Sequence, residues 1–261
     1  MGTQTISLAD LAERAARAAA TELTARFGQQ ASGVAAKSTT TDLVSDADRA
    51  AEAASIGVIL AERPDDGIVA EEGSGQDGTS GIEWLIDPLD GTTNYLWGIP
   101  HWCVSVAARE ADGLLAGVVH DPLRGETFSA TRGGGAWAGT RPLRIADDRP
   151  LEEALVGTGF NYSADERARQ AARLLGILPA VRDLRRLGAA ALDLAWVGGG
   201  RLDAYFETGL QPWDRAAGEL IVTEAGGVVI ELPGRGGGPP GVIAGAPRTA
   251  RELAHLLELA G

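Results

Sequence analysis

The sequence is poor in the features that mark secreted and membrane proteins. Cys103 is the single cysteine among 261 residues, which excludes an internal disulfide and a zinc-type cysteine spacing. No apolar run approaches the roughly 18 to 20 residues that cross a bilayer. A basic segment followed by an apolar run, as in a signal peptide, is also missing from the first 28 residues. These absences predict a soluble protein of a reducing compartment, most simply the cytoplasm.

Basic residues are scarce relative to acidic ones. The chain carries 23 Lys and Arg against 36 Asp and Glu, a formal net charge of −13. Such a surface repels nucleic acid and anionic lipid, so we expect neither direct nucleic-acid binding nor membrane association. Lys37 is the only lysine in the chain. That lysine is either a chance of composition or a position that needs a compact ammonium instead of a planar guanidinium.

Hydrophobic periodicity predicts a chain that mixes helices and strands. A polar, proline-containing segment from Asp147 to Pro150 suggests a division into subdomains 1–148 and 149–261. Helices are predicted over 7–27, 46–62, 165–175, 189–197 and 214–225, and strands over 68–70, 84–86, 104–108, 114–120, 126–131, 155–159, 202–206 and 227–232.

The most informative segment runs from Trp84 to Asn94. A buried strand is predicted to end at Asp87, Pro88 to force a bend, and Asp90 to return beside Asp87 as the N-cap of a helix. Two carboxylates at one point raise each other's pKa unless a cation lies between them, and oxygen ligands favour Mg²⁺. The backbone N–H groups of Gly91 and Thr92 would offer an anion site beside the metal. Alone, the same segment also fits a strand, a turn and a capped helix.

Two further acidic segments gain meaning only in combination. Asp214 lies at the start of a predicted helix and by itself is best explained as a plain N-cap. The pair Glu71-Glu72 follows a short predicted strand and by itself is best explained as solvated charge.

Together these segments resemble the inositol monophosphatase family. The resemblance runs from Lys37 to about Gly227 and rests on three motifs in order: Glu71-Glu72, then Asp87-Pro88-Leu89-Asp90-Gly91-Thr92, then Trp213-Asp214-Arg215-Ala216-Ala217-Gly218. It implies a layered α/β fold, an αβαβα sandwich. An antiparallel sheet would lie in the N-terminal half, with most metal ligands, and a smaller α/β half would contribute Asp214 and substrate contacts.

The resemblance also implies a Mg²⁺-dependent phosphomonoesterase. Glu71, Asp87 and the Leu89 carbonyl would bind a first Mg²⁺ that activates the attacking water, while Asp87, Asp90 and Asp214 would bind a second at the leaving oxygen. A weaker third ion, held by Asp48 through waters, stays open. Lithium sensitivity and a homodimer are typical of the family. As further catalytic residues, the resemblance implies Thr92, oriented by Asp48, and Lys37.

The substrate implied by the resemblance is a myo-inositol monophosphate. Thr93-Asn94-Tyr95 is similar to the inositol phosphatase pattern, and the predicted substrate contacts are Asp90, Gly91, Thr92, Ala190, Glu207 and Asp214. Ala189 stands where the family usually has a hydroxyl residue. Fructose 1,6-bisphosphatase and histidinol phosphatase activities stay open as alternatives. So does a role as an interaction protein, since some bacterial members also bind the transcription machinery.

Overall fold

The computed structural model describes residues 6–30, 32–37, 43–145, 148–234 and 238–259. The segment Thr41 to Asp42, Asp147 of the predicted subdomain boundary and the first five residues lie outside this part. The helices in it are α1 (Leu8–Thr24), α2 (Asp46–Glu62), α3 (Thr92–Leu96), α4 (Ala164–Ile177), α5 (Ala190–Gly198), α6 (Pro212–Glu224) and α7 (Pro247–Leu259). The strands are β1 (Ala35–Ala36), β2 (Leu43–Val44), β3 (Gly67–Ala70), β4 (Glu83–Asp90), β5 (Cys103–Glu110), β6 (Gly113–Asp121), β7 (Glu126–Thr131), β8 (Gly135–Ala138), β9 (Arg141–Pro142), β10 (Leu155–Thr158), β11 (Asp183–Arg185), β12 (Ala204–Thr208), β13 (Val228–Leu232) and β14 (Gly241–Gly245).

Two sheets organise the chain. The larger follows chain order from β3 to β9 and is antiparallel except for the parallel pair β3 and β4. The smaller has the order β11-β10-β12-β14-β13, with β10 parallel to both neighbours and the remaining pairs antiparallel. The short strands β1 and β2 pair only with each other.

Alternating side chains fill the space between the layers. On β5, Val104 and Val106 face α1 and α2, whereas Cys103 and Ala107 face α5 and α6. In the smaller sheet, Phe206 of β12 faces α7, whereas Tyr205, on the opposite face of the strand, packs against α5 and α6. The layers are therefore α1 and α2, the large sheet, α5 and α6, the small sheet, then α4 and α7. The predicted αβαβα sandwich is confirmed.

The helix boundaries follow from local chemistry. Ser7 accepts the N–H of Asp10 and begins α1, one position before the predicted helical face of leucines and alanines. Ser45 and Asp48 form a reciprocal capping box at the start of α2, whose bounds are those the sequence predicts. In the described part of the chain, no helix is both long and apolar enough to cross a membrane.

Three local predictions around the acidic motifs are wrong. Strand β4 does not end at Asp87 but runs through Pro88 to Asp90, with a register shift against β5 between the two aspartates. The N-cap of α3 is Gly91, at φ 97°, not Asp90. Glycine adopts this left-handed conformation without steric strain, and no side chain caps α3. The N-cap of α6 is Gln211, and Asp214 is the third helical residue.

Candidate active site

A cavity of about 320 Å³ opens where β4, β12 and the first turns of α5 and α6 meet. Asp48 lies behind its wall, in contact with Thr92. All other predicted site residues line the cavity: Lys37, Glu71, Asp87, Leu89, Asp90, Gly91, Thr92, Ala190, Glu207 and Asp214.

Asp87 is the buried centre of the acidic cluster. One of its oxygens accepts the backbone N–H of Leu89 at 3.0 Å, which fixes the carboxylate in the turn around Pro88. Burial raises the pKa of Asp87 well above its usual range, and the nearby charges of Glu71, Asp90 and Asp214 raise it further. Each charge opposes ionisation of the others, so a cation is needed if all four are to be ionised.

Asp90 is held by a helix that starts 100 residues later in the chain. Its two oxygens accept the N–H of Ala190 at 3.0 Å and that of Ala191 at 2.7 Å, at the start of α5. No side chain caps α5 locally, because Ala189 occupies its N-cap. Asp90 supplies the missing acceptor, and the positive end of the helix stabilises its charge. Burial nevertheless raises the pKa of Asp90 to about 6.

Asp214 joins the cluster from the first turn of α6. Its carboxylate accepts the N–H of Gln211 at 2.7 Å, the reach-back bond of a capping box, and Pro212 begins the helix without needing a partner. Burial raises the pKa of Asp214 well above its usual range, and the charges of Glu71, Asp90 and Glu207 add to this shift.

Lys37 links the two glutamates that follow β3. Its ammonium donates to Glu71 at 2.8 Å and to Glu72 at 2.6 Å. Burial opposes its charge, but the two carboxylates raise the pKa of Lys37 above its usual range, so it stays protonated. The lone lysine therefore lies in the cavity wall, where its charge offsets part of the acidic cluster.

Thr92 connects the cavity to Asp48 on α2. Its hydroxyl lies 3.3 Å from Asp48 and 3.0 Å from the carbonyl oxygen of Leu89, and it can donate to either. The other oxygen of Asp48 accepts the backbone N–H of Ser45. Burial raises the pKa of Asp48, against the lowering effect of these Ser45 contacts. The predicted contact between Thr92 and Asp48 is present.

Glu207 faces the cavity from β12. Its carboxylate accepts a hydrogen bond from the Tyr205 hydroxyl, two residues earlier on the same face of the strand. Burial raises the pKa of Glu207 to about 7, while Tyr205 and Arg186 act in the opposite direction. Ala190, another of the predicted substrate contacts, uses its N–H for Asp90, and its side chain is only a methyl group.

A model of the inositol monophosphatase family matches residues 6–259. This chain belongs to the inositol monophosphatase family. The Nus factor SuhB of Escherichia coli (strain K12) is 40% identical over 248 residues, covering 94% of this chain and 93% of the relative. The family resemblance drawn from the three acidic motifs is thereby confirmed.

Solved structures of the family superpose on nearly the whole chain. The native crystal structure of the extragenic suppressor protein suhB from Bartonella henselae is 36% identical, covers 95% of this chain and 97% of its own, and gives a TM-score of 0.89. Staphylococcal SaIMPase-II with bound inositol monophosphate is 26% identical, covers 97% of this chain and 95% of its own, and gives a TM-score of 0.78.

The donor chemistry of this family site fits a hard divalent cation. Carboxylates and the Leu89 carbonyl are oxygen donors, and the mutual repulsion at Asp87 is what a cation would relieve. Within the described residues, no three His, Cys, Asp or Glu side chains already form a metal-binding group. Glu71 is instead paired with Lys37 at 2.8 Å, and Asp87 accepts the backbone N–H of Leu89. The ligand assignment therefore stays a prediction.

Sequence reasoning missed three residues that support or line the site. Glu52 accepts the backbone N–H groups of Glu72 and Ser74 and so fixes the turn after β3. Asp193 and Arg186 both line the cavity. Glu52 carried a signal, because it lies four residues after Asp48 on the buried face of α2, where an acid is unusual. Asp193 and Arg186 carried none, since their segments show no acidic motif.

Proposed function

We propose that this protein is a Mg²⁺-dependent phosphomonoesterase that releases phosphate from small polyol phosphates, with myo-inositol monophosphate as its substrate. The observation that carries the proposal is the convergence of four carboxylates, from β4, from the turn after β3 and from α6, in one cavity. The charges of the other three carboxylates repel that of Asp87, and a divalent cation bound between them would relieve this repulsion.

The proposed metal ligands divide into two sets. Glu71, Asp87 and the Leu89 carbonyl would hold one Mg²⁺, and Asp87, Asp90 and Asp214 a second. When bound, the ions would neutralise developing negative charge and lower the pKa of a water. They would also make a cavity rich in carboxylates attractive to a phosphate.

Thr92 and Asp48 act on the nucleophilic water in this proposal. In this arrangement the Thr92 hydroxyl would donate to Asp48 instead of to the Leu89 carbonyl, which would leave its oxygen lone pairs for a water in the cavity. Those lone pairs accept a hydrogen bond from a water and orient it. The bonds from Ser45 hold Asp48 in place while it does so.

Glu207 and Arg186 set the electrostatics at the substrate side of the cavity. Because the pKa of Glu207 is raised to about 7, near neutral pH it exists in both protonation states. It can then accept from or donate to a hydroxyl of a polyol. This feature supports a hydroxyl-rich substrate over an apolar ester, and SaIMPase-II, with bound inositol monophosphate, is a structural relative.

A phosphate-release assay tests the proposal. The panel contains inositol 1-phosphate, fructose 1,6-bisphosphate, histidinol phosphate and adenosine 3′,5′-bisphosphate, each with Mg²⁺ and with excess chelator. We expect the highest kcat/KM for inositol 1-phosphate and activity only with Mg²⁺, inhibited by Li⁺. The Asp87→Asn variant controls for contaminating phosphatases. Full activity in chelator would contradict the proposal, and a higher kcat/KM for another ester would correct the substrate.

The name of the Escherichia coli relative, Nus factor, supports a second candidate, an interaction protein of the transcription machinery. The two candidates are separated by capturing partners on immobilised wild-type protein and on Asp87→Asn in parallel with the assay. Capture of transcription proteins by both forms, without phosphatase activity in the wild type, would favour the second candidate.

A further inference from the structure

Gln170 is a buried polar residue on the inner face of α4, and only 6% of it is exposed. Together with Leu174, Phe206 and Leu257 it lines a second, small cavity between α4, α7 and the smaller sheet. A polar group in such apolar surroundings costs free energy unless its hydrogen bonds are made, and a leucine would fill the position without that cost. The presence of a glutamine is therefore explained only if its amide group is used.

The amide of Gln170 joins two segments that lie far apart in the chain. Its oxygen accepts the backbone N–H of Asn161 at 2.9 Å, and its nitrogen donates to the hydroxyl of Thr208 at 2.9 Å. Asn161 lies between β10 and α4, and Thr208 is the last residue of β12. Both residues line the large cavity, whereas Gln170 lies outside its lining. Gln170 thus connects two parts of the cavity wall from outside the cavity.

Other contacts fix the Asn161 segment to α4 alone. The guanidinium of Arg167 donates to the carbonyl oxygens of Asn161 and Tyr162, at 3.1 and 2.9 Å. The side-chain oxygen of Asn161 accepts the backbone N–H of Ser163 at 2.8 Å, just before the helix begins. Of these contacts, that of Gln170 is the one that continues to β12.

The chain that follows β12 packs closely against Asn161. Gly209, with φ 89°, also lines the large cavity, and a Cβ added there would lie 2.6 Å from Asn161 Nδ2. The N–H of Gly209 donates to the carbonyl of Pro240 at 2.8 Å, so this backbone is itself held in place. Close-packed segments transmit a displacement instead of absorbing it. Loss of the Gln170 contacts should therefore move the cavity wall.

We propose that Gln170 is a positioning residue for substrate selection, which holds the Asn161 segment against the end of β12 and so fixes the part of the cavity wall that meets the polyol. The inference rests on the proposed phosphomonoesterase function and adds a residue that sets specificity without touching the substrate. Glu207 directly precedes Thr208 on β12, so its carboxylate belongs to the same part of the wall. Neither bond of Gln170 reaches the segments that carry the proposed metal ligands.

The test compares inositol 1-phosphate with glycerol 2-phosphate on the Mg²⁺-saturated enzyme. Both are secondary phosphate esters, but glycerol lacks the ring hydroxyls that would reach this wall. The Gln170→Met variant keeps the length of the side chain and removes both hydrogen bonds. We expect its KM for inositol 1-phosphate to rise about tenfold, as for a displaced positioning group. Its kcat, its kinetics with glycerol 2-phosphate and the Mg²⁺ concentration for half-maximal activity should stay near the wild-type values.

The Leu174→Ala variant is the matched control for lost packing. Leu174 lies one turn after Gln170 on α4 and lines the same small cavity. We expect this variant to melt at a lower temperature than the wild type but to keep the wild-type KM for both esters. An equal rise in KM in Leu174→Ala and Gln170→Met would reduce Gln170 to a packing role and overturn the inference.

The Thr208→Val variant breaks the same link from β12 and decides the question even if Gln170→Met does not fold. It removes the hydroxyl that Gln170 binds and keeps the backbone bond to Asn161, so KM for inositol 1-phosphate should rise by less than in Gln170→Met. Because both changes remove one shared hydrogen bond, the double variant should lose no more than Gln170→Met alone. An unchanged KM in Thr208→Val, or an equal loss on both esters in Gln170→Met, would overturn the positioning role while leaving the phosphatase proposal in place. A wild type that hydrolyses neither ester would overturn both.

Discussion

The carboxylate of Glu52 on α2 accepts the backbone N–H of Glu72 at 2.7 Å, and its second oxygen accepts that of Ser74 at 3.1 Å. Glu52 is 1% exposed, so neither bond competes with bulk water. The turn that places Glu71 at the cavity is therefore held by the side chain of Glu52, which lies 20 positions before Glu72 in the chain.

The Glu52→Gln variant tests this support. The amide keeps one acceptor but turns an N–H₂ group toward the other backbone donor, leaving buried groups without partners. We expect a loss of about 1 to 3 kcal/mol in unfolding free energy. The Mg²⁺ concentration for half-maximal activity should rise by about 10-fold to 100-fold, the usual effect of losing a group that orients a metal ligand. Urea unfolding and Mg²⁺ titration measure the two effects, and a wild-type Mg²⁺ dependence would refute the role.

The metal-free protein should become less stable as pH rises. The pKa values of Asp87 and Asp214 are raised, that of Asp90 to about 6 and that of Glu207 to about 7. The folded state thus binds more protons than the unfolded state from about pH 4 to pH 7, and its unfolding free energy falls across that window. Mg²⁺ should restore the loss.

Thermal unfolding in chelator at pH 6 and pH 8 measures this dependence. Asp87→Asn removes one ionised group from the cluster, so the metal-free variant should melt higher than wild type at pH 8 and show a smaller pH effect. The same variant should be inactive at any practical Mg²⁺ concentration. A metal-free wild type that melts higher at pH 8 than at pH 6 would contradict the electrostatic account.

Asp214→Asn should separate metal binding from folding. An asparagine oxygen can still accept the N–H of Gln211, so α6 keeps its first turn. We expect half-maximal activity to need at least about 10-fold to 100-fold more Mg²⁺, with weaker inhibition by Li⁺. Circular dichroism checks the helix and activity titrations check both ions. Wild-type titration curves would remove Asp214 from the ligand set.

Thr92→Ala should lower catalysis without loss of metal. The change removes the hydroxyl that reaches Asp48 but no carboxylate. We expect kcat to fall by roughly 10² to 10⁴, the scale for losing a group that positions a proton or a water. Calorimetry should find Mg²⁺ affinity nearly unchanged, and Thr92→Ser should recover much of the rate. Loss of Mg²⁺ binding in the alanine variant would instead give Thr92 a structural role at the metal.

The Lys37→Arg variant tests whether catalysis requires the compact ammonium group of Lys37. The ammonium reaches Glu71 and Glu72 at once, at 2.8 and 2.6 Å. A guanidinium is wider and planar, so it would displace Glu71 from the cavity. We expect kcat to fall roughly tenfold or more, as for a misplaced catalytic group, with an unchanged melting temperature. Wild-type kinetics in this variant would indicate that the presence of a lysine at position 37 is a chance of composition.

Local features of the fold were largely predictable from the sequence. Ser45 with Asp48 is a capping signal, and the helix it begins has the predicted bounds. The strand before Asp87 was predictable for the same reason, since it depends on residues close in the chain. The motif order Glu71, Asp87, Asp214 was enough to identify the family.

Only the tertiary structure decided how the site is held together. Asp90 carries the chemistry of an N-cap, but the helix it caps is α5, because the 100 intervening residues return Ala190 and Ala191 to its carboxylate. Likewise, no local pattern places Arg186 over Phe160 beside Glu207. Capping and periodicity act within a few residues, so the sequence by itself determined the elements and the acidic motifs. Contacts between distant segments depend on how the layers pack, and these decided the partners of each charge.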